Sequence, residues 1–305
     1  ALIDAAVLVI AANEGIQPQT KEHFMALQAK GINNIIIVQN KIDLVSKEDA
    51  KKNHEEIKEF IKGSNAEDAP IIPASAQQGI NVDKLLEELC KLEVPERDKD
   101  SEPVFVIARS FDINKPGTPV KSINGGVLGG ILKKGVLKVG DEIEIKPGIK
   151  ETKAHQQYFK TLNARILSLH KGDQLVEEVY PGASISIETS LDTTLTKTDS
   201  LTGCLASKKG NLPEITYNTK ISVELFNKVL GMEKDKEVEK IKPGEMLMLS
   251  INTAISVGTV KRLDKQGNLE MNLTIPIVPL KGENVGVARN INNHWRLIGF
   301  GNIVE

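Results

Sequence analysis

Asn40-Lys41-Ile42-Asp43 closes the apolar run Ile35-Ile36-Ile37-Val38, and its residue types suit the reading of a purine edge. A carboxylate at Asp43 can accept from both N1–H and the exocyclic N2 amine of guanine. Adenine offers neither donor in that arrangement and would leave a desolvated carboxylate unpaired, so a site built on polar pairing rejects it. Asn40 supplies an amide for the base edge or for a neighbouring loop, and the stem of Lys41 can lie over the flat face of the ring. The bland alternative is a polar turn after a strand, since these residue types arise by chance in a chain this long at roughly a few per cent. Asn114-Lys115-Pro116-Gly117 starts alike but ends on Gly where the carboxylate belongs. Pro then Gly suits the central positions of a type II turn.

Context separates the first motif from chance. Downstream comes a second apolar strand, Pro70-Ile71-Ile72-Pro73, followed by Ala74-Ser75-Ala76-Gln77. Backbone N–H groups of Ser75 and Ala76, with Gln77 next in the turn, can meet the guanine O6, an acceptor that adenine lacks. Ser-Ala alone carries no signal. Strand, Asn-Lys-x-Asp, helix, strand and Ser-Ala, in that order, do.

The elements around these motifs predict an open parallel sheet. Residues 5–12 form a continuous apolar run, as for a strand buried on both faces, and Ile35 to Val38 and Ile71-Ile72 are similar. Ser46-Lys47-Glu48-Asp49 resembles a capping box and leads into Ile57, Phe60 and Ile61 on one helical face. Asn81 can cap a further helix whose Val82, Leu85, Leu86 and Leu89 share a face. Alternating strands and helices place ligands at the carboxyl ends of the strands, where Asn40 and Ser75 stand.

Phosphates need a Gly-rich loop opening a helix, with Lys and Ser or Thr. The sequence contains no Gly-x-x-x-x-Gly-Lys-Ser/Thr. Asp264-Lys265-Gln266-Gly267 matches a metal-binding Asp-x-x-Gly in letters, but it lies in a β-rich region and suits a hairpin turn. The chain opens at Ala1-Leu2-Ile3-Asp4, within what should be a nucleotide domain. The expectation is therefore a base-reading half-domain without the phosphate, magnesium and hydrolysis parts, and a chain inactive by itself.

At 305 residues the chain holds two or three domains. Its net charge of −2 excludes a polycation acting by bulk charge. Residues 1–94 carry 10 Lys and no Arg against 15 Asp and Glu, so any RNA contact should favour the remainder. Cys90 and Cys204 fit no metal-ligand spacing and the five His show no pairing, so no metal is assigned to side chains. No run approaches a membrane span and nothing resembles a signal peptide, which points to a reduced, cytoplasmic compartment.

Residues 1–94 thus form the carboxyl-terminal half of a nucleotide-binding domain. Residues 95–102, charged and flanked by prolines, form a linker. Beyond it, short strands with regular Gly turns predict two antiparallel β-barrels, residues 103–210 and 211–305. Residues 150–159 are expected as a polar loop insertion, residues 232–242 as a charged solvated loop, and Trp295 as a core or barrel-end plug.

A guanine-reading half-domain followed by two barrels resembles the translational GTPases. The closest likeness is to the gamma subunits of translation initiation factor 2. It rests on Ile10-Ala11-Ala12-Asn13-Glu14 with Pro18-Gln19-Thr20, on Gln39-Asn40-Lys41-Ile42-Asp43, and on residues 109–117. Further support comes from Gly125-Gly126-Val127 with Gly129-Gly130, from residues 195–199, and from His294-Trp295-Arg296-Leu297-Ile298-Gly299. The resemblance implies a carrier of initiator methionyl-tRNA to the small ribosomal subunit, dependent on GTP and Mg2+. It implies a heterotrimer with an alpha subunit on the first barrel and a beta subunit on the nucleotide domain. Guanine-binding roles carry over to Asn40, Lys41, Asp43, Ser75 and Ala76, with Gln77 beside them. Arg109 and Arg165 become candidates to contact the tRNA acceptor strand. Two alternatives stay open: an elongation-factor-type aminoacyl-tRNA carrier, and a non-catalytic scaffold for partner subunits.

Overall fold

A computed structural model of the chain describes residues 3–153, 156–229 and 237–304. Strands β1 (Ala5–Ala11), β2 (Asn34–Asn40) and β3 (Ile71–Pro73) form a parallel sheet in that order. Ala11 lies opposite Asn40 and Gln39 opposite Pro73, so the strands end together on one rim. Helices α1 (Pro18–Ala29) and α2 (Lys47–Ile61) cover one face, where Leu8, Ile10, Phe24, Ile35, Ile37 and Ile57 are buried together. Helix α3 (Val82–Cys90) covers the other, laying Leu85 over Ile36, Val38 and Ile72. The capping box at Ser46 is present: Asp49 N–H donates to Ser46 Oγ at 3.1 Å, and Oγ donates to the Asp49 carboxylate at 2.7 Å.

Three expectations for this region change. β1 is not buried on both faces, since Val7 is 40 % and Val9 56 % exposed. Among the described residues its one sheet partner is β2, and the α3 residue Leu85 packs on Ile36, Val38 and Ile72 of β2 and β3. For the same reason the apolar face of α3 is half covered, with Leu86 exposed. Asn81 does not cap α3. It adopts a left-handed conformation (φ 57°) and donates its side-chain amide to Pro73 O at 2.7 Å.

The first barrel follows with β4 (Val104–Phe111), β5 (Val127–Lys134), β6 (Leu137–Lys138), β7 (Glu142–Lys153), β8 (Gln156–Lys171), β9 (Gln174–Val176), β10 (Glu178–Val179), β11 (Ser184–Thr189) and β12 (Leu205–Lys208). The order β11-β5-β4-β12-β7-β8 closes on itself through pairing of β8 with β11. Its core is aliphatic around Phe105, with Ile107, Leu128, Ile143, Ile145 and Ile187 fully enclosed. Within the Gly129-Gly130 pair, Gly130 has a packing reason: a Cβ there would lie 2.0 Å from Val106 O. The second barrel comprises β13 (Thr216–Leu225), β14 (Met246–Ile251), β15 (Ala254–Leu263), β16 (Leu269–Ile277), β17 (Asn284–Ile291) and β18 (His294–Ile303), closed in the order β13-β16-β15-β14-β17-β18. Residues 264–268 form the expected turn between β15 and β16, and Lys115 O accepts from Thr118 N–H at 3.1 Å across Pro116-Gly117.

Of residues 150–159, expected as a loop, 150–153 and 156–159 are strand, and 154–155 lie outside the described residues. β7 and β8 run on as an antiparallel arm, with Ile149 opposite Lys160 and Lys153 opposite Gln156. An arm beyond the barrel has no core to face, which makes its sequence polar. Trp295 is 36 % exposed at the start of β18 and plugs nothing, because Leu247, Leu249, Met271 and Ile298 already fill the barrel. Of the expected charged loop, residues 230–236 lie outside the described residues, and Ile241 is buried. The linker is strapped down: Arg97 holds Asp4 at 3.1 and 2.5 Å, and Asp98 O accepts from Gly135 N–H at 2.8 Å. Among the described residues no helix is long and apolar enough to cross a membrane.

Candidate nucleotide-base site

Both expected segments sit on the carboxyl rim of the sheet, and hydrogen bonds knit them together. Ala74 N–H donates to Gln39 O at 2.8 Å, Ile42 N–H to Ala74 O at 3.3 Å, and Ala76 N–H to Asn40 Oδ1 at 3.1 Å. Of the two roles open to Asn40, fastening the neighbouring loop is the one it fills. Lys41 turns the chain in a left-handed conformation (φ 62°), which for a residue with a side chain stores strain on the order of 1–3 kcal/mol. That turn brings Ile42–Leu44 into a single 3-10 turn, with Asp43 exposed on it. Among the described residues no basic side chain pairs with Asp43. Lys41 Nζ reaches across to Glu14 in the loop after β1, at 2.8 Å, with both side chains about half exposed.

The second loop differs from its expected role in one respect. Ser75 is buried; its N–H donates to Ile80 O at 3.2 Å, Ile80 N–H donates back at 3.0 Å, and its Oγ accepts from Gln78 N–H at 3.2 Å. The N–H groups of Ser75 and Ala76 are therefore both committed within the protein. Among the described hydrogen bonds, the N–H of Gln77 has no acceptor. It is the donor left for a guanine O6, because chain reversal and the Asn40 amide consume the two before it.

An unpaired carboxylate, an unengaged N–H and a lysine stem on two interlocked loops fit a guanine base. Phosphates and magnesium are another matter. No phosphate-binding motif occurs in the sequence, and those contacts are assigned to no residue of this chain.

The two arginines of the first barrel are not brought together. β4, which carries Arg109, and β8, which carries Arg165, lie across the barrel from one another. Arg109 Nε donates to Asp199 at 2.8 Å, and Ser110 N–H donates to the same oxygen at 3.0 Å. The guanidinium, aided by that N–H, holds the Asp199 carboxyl below the usual carboxylate range. Arg165 is exposed, and its N–H donates to Ser190 Oγ at 2.9 Å. Three residues around the base site carried no predicted role: Glu14, Gln39 and Asn53. The one legible signal was Gln39, a polar residue continuing an apolar strand.

Comparison with known proteins agrees with this layout. Residues 1–95 match the family described as elongation factor Tu GTP binding domain, and residues 217–303 match initiation factor eIF2 gamma, C terminal. The chain is 47 % identical over 305 residues to translation initiation factor 2 subunit gamma of Methanocaldococcus jannaschii, covering 99 % of this chain and 74 % of that protein. It is 48 % identical over 303 residues to the subunit of the same name from Archaeoglobus fulgidus, covering 99 % and 70 %. Among solved structures, translation elongation factor SelB from Methanococcus maripaludis with the GTP analogue GppNHp superposes with a TM-score of 0.76 at 20 % identity. That match covers all of this chain and 66 % of SelB, and it shows a shared fold.

Proposed function

The chain belongs to the family of translation initiation factor 2 gamma subunits, GTPases of protein synthesis, and from that membership we propose that it serves as the core of a heterotrimeric initiation factor. In this reading it binds initiator methionyl-tRNA in a GTP-dependent manner, joins alpha and beta subunits, and delivers the tRNA to the small ribosomal subunit in the cytoplasm. The observation that carries the nucleotide part is the bond from Ala76 N–H to Asn40 Oδ1. It ties the two loops together, and in this reading the Asp43 carboxylate and the Gln77 N–H border one site. Asp43 would accept from N1–H and the N2 amine, Gln77 N–H would donate to O6, and the Lys41 stem would cover the ring.

These residues account for base selectivity. Most binding energy for a nucleoside di- or triphosphate comes from phosphate contacts. The 305-residue chain should therefore bind GDP weakly, at roughly 0.1 mM or above. Isothermal titration with GTP or GDP and magnesium tests this, and a sub-micromolar affinity would overturn it. Selectivity is tested separately by NMR titration. Asp43→Asn replaces one acceptor by a donor, which matches the O2 of xanthine, so preference should move from GDP to XDP. An unchanged preference would remove Asp43 from the site. For tRNA, with alpha and beta subunits present, initiator methionyl-tRNA should bind in preference to elongator methionyl-tRNA; the reverse order would favour an elongation-type carrier.

A further inference from the structure

Gln39 is out of character with its surroundings. It is 1 % exposed on the face of β2 that otherwise carries Ile35 and Ile37, and Asn53, 5 % exposed, meets it from the middle of α2 beside Ile57. Leucine at both positions would bury more apolar surface and desolvate no amide. Instead both hydrogens of the Gln39 amide are spent on α2, donating to Ala50 O at 2.8 Å and to Asn53 Oδ1 at 2.9 Å.

The placement of this contact is informative. Residues 40–46, which carry Lys41 and Asp43, are clamped at both ends. Gln39 directly precedes them, and Ala50 lies in the opening turn of the helix that follows. Asn53 Nδ2 also lies 3.8 Å from where a side chain on Gly15 would begin, next to Glu14, the partner of Lys41. One buried amide pair thus sits at the base of the loop of residues 40–46 and close to the loop after β1 that supplies Glu14.

We propose that Gln39 and Asn53 are positioning residues for the guanine-reading loop. They fix the register at which α2 meets the end of β2 and so hold Asn40, Lys41 and Asp43 in place without touching a ligand. Directional bonds inside an apolar face select one arrangement where aliphatic packing would tolerate several. The inference rests on the base-reading role proposed for Asp43.

Amide hydrogen exchange on the 305-residue chain tests it without a nucleotide. In Gln39→Leu/Asn53→Leu, the Ile42 and Ala76 amides should exchange at least about tenfold faster than in the parent chain, while Ile37 in the same sheet keeps its rate. Asn53→Ala, which spares the bond to Ala50 O, should give an intermediate effect and serves if the double variant fails to fold. Unchanged rates at Ile42 and Ala76 would overturn the proposal. An equal acceleration at Ile37 would also overturn it, by showing a merely structural pair. The preference for GDP over IDP, which lacks the N2 amine, should fall by about threefold or more in the double variant. If Asp43→Asn leaves that preference intact, the base reading fails, while the exchange rates still decide the role of the pair.

Discussion

The second barrel meets its two neighbours in different ways. Against the first barrel it is cemented. Val104, Val106, Leu205, Leu212 and Val278 are buried together, and Thr253 Oγ1 donates to Ile107 O at 2.8 Å. A Cβ on Gly203 would sit 3.0 Å from Ala254 Cα, so the two backbones are nearly in contact. Lys133 pairs with Glu283, and the connecting segment is gripped by Lys146, which reaches Leu212 O at 3.2 Å and Glu214 at 2.9 Å. Against the parallel sheet, the barrel leaves a cavity of about 590 Å³ lined by Val7, Val9, Leu27, Val285, Leu297 and Phe300. Arg296 spans that junction to Glu22 at 3.1 Å, with both side chains 32 % exposed. Apolar burial is not screened by salt, whereas an ion pair with both side chains about a third exposed is weak and screened. The two barrels should therefore move as one body, with the sheet free to shift against them.

The largest effect should come from Lys146→Met. Lys146 and Glu144 are each 7 % exposed by side chain and 3.7 Å apart, and Glu144 also accepts from Leu212 N–H at 2.8 Å. Removing the cation leaves a buried carboxylate without its partner, at a cost of about 3–5 kcal/mol in chemical denaturation. An unchanged midpoint would show that the grip on the connecting segment is idle. Leu205→Ala opens a void in the apolar cluster and should cost about 2–5 kcal/mol, with faster exchange at the Thr253 and Ala254 amides on the far side of the interface. Arg296→Ala should cost under about 1 kcal/mol. Raising the salt concentration should loosen the sheet in the parent chain and do nothing further in the variant, as read by small-angle scattering. A loss from Arg296→Ala as large as that from Leu205→Ala would abolish the contrast between the two junctions.

The smallest effect is confined to the second barrel and involves neither junction. The Lys220 ammonium, with hydrogen bonds from Asn268, holds the Asp264 carboxyl well below the usual carboxylate range. A carboxyl depressed in the folded state contributes stability that is complete above its unfolded value, about pH 4, and is lost as the pH falls toward the folded value. Asp264→Asn should therefore flatten the acid limb of the second barrel's stability below about pH 4 and leave the sheet's acid response unchanged. An acid limb identical to that of the parent would remove this pair from the stability of the barrel.

Legibility from sequence followed the range of the interactions involved. Motifs whose geometry is local were readable: the Ser46 capping box, the Pro116-Gly117 turn, the turn at residues 264–268, and the strand ends carrying Asn40 and Ser75. The β7–β8 arm was not, because polar residues on a two-stranded arm have no buried face and lack the alternation that marks a strand over a core. β1 was misjudged for the converse reason. A run of eight apolar residues does not say whether a second neighbour arrives to cover it.

The base site divides along the same line. Residue types and their order alone settled that a carboxylate, an amide and a lysine stand at the end of one parallel strand, with a Ser-Ala turn at the end of the next. That is enough to imply which purine they suit. Only the tertiary structure decided which backbone N–H remains open, that Asn40 binds the neighbouring loop, and that Arg109 and Arg165 stand on strands across the barrel from one another. Hydrogen-bond partners and burial belong to pairs of groups distant in the chain, and a linear sequence states the groups without stating their neighbours.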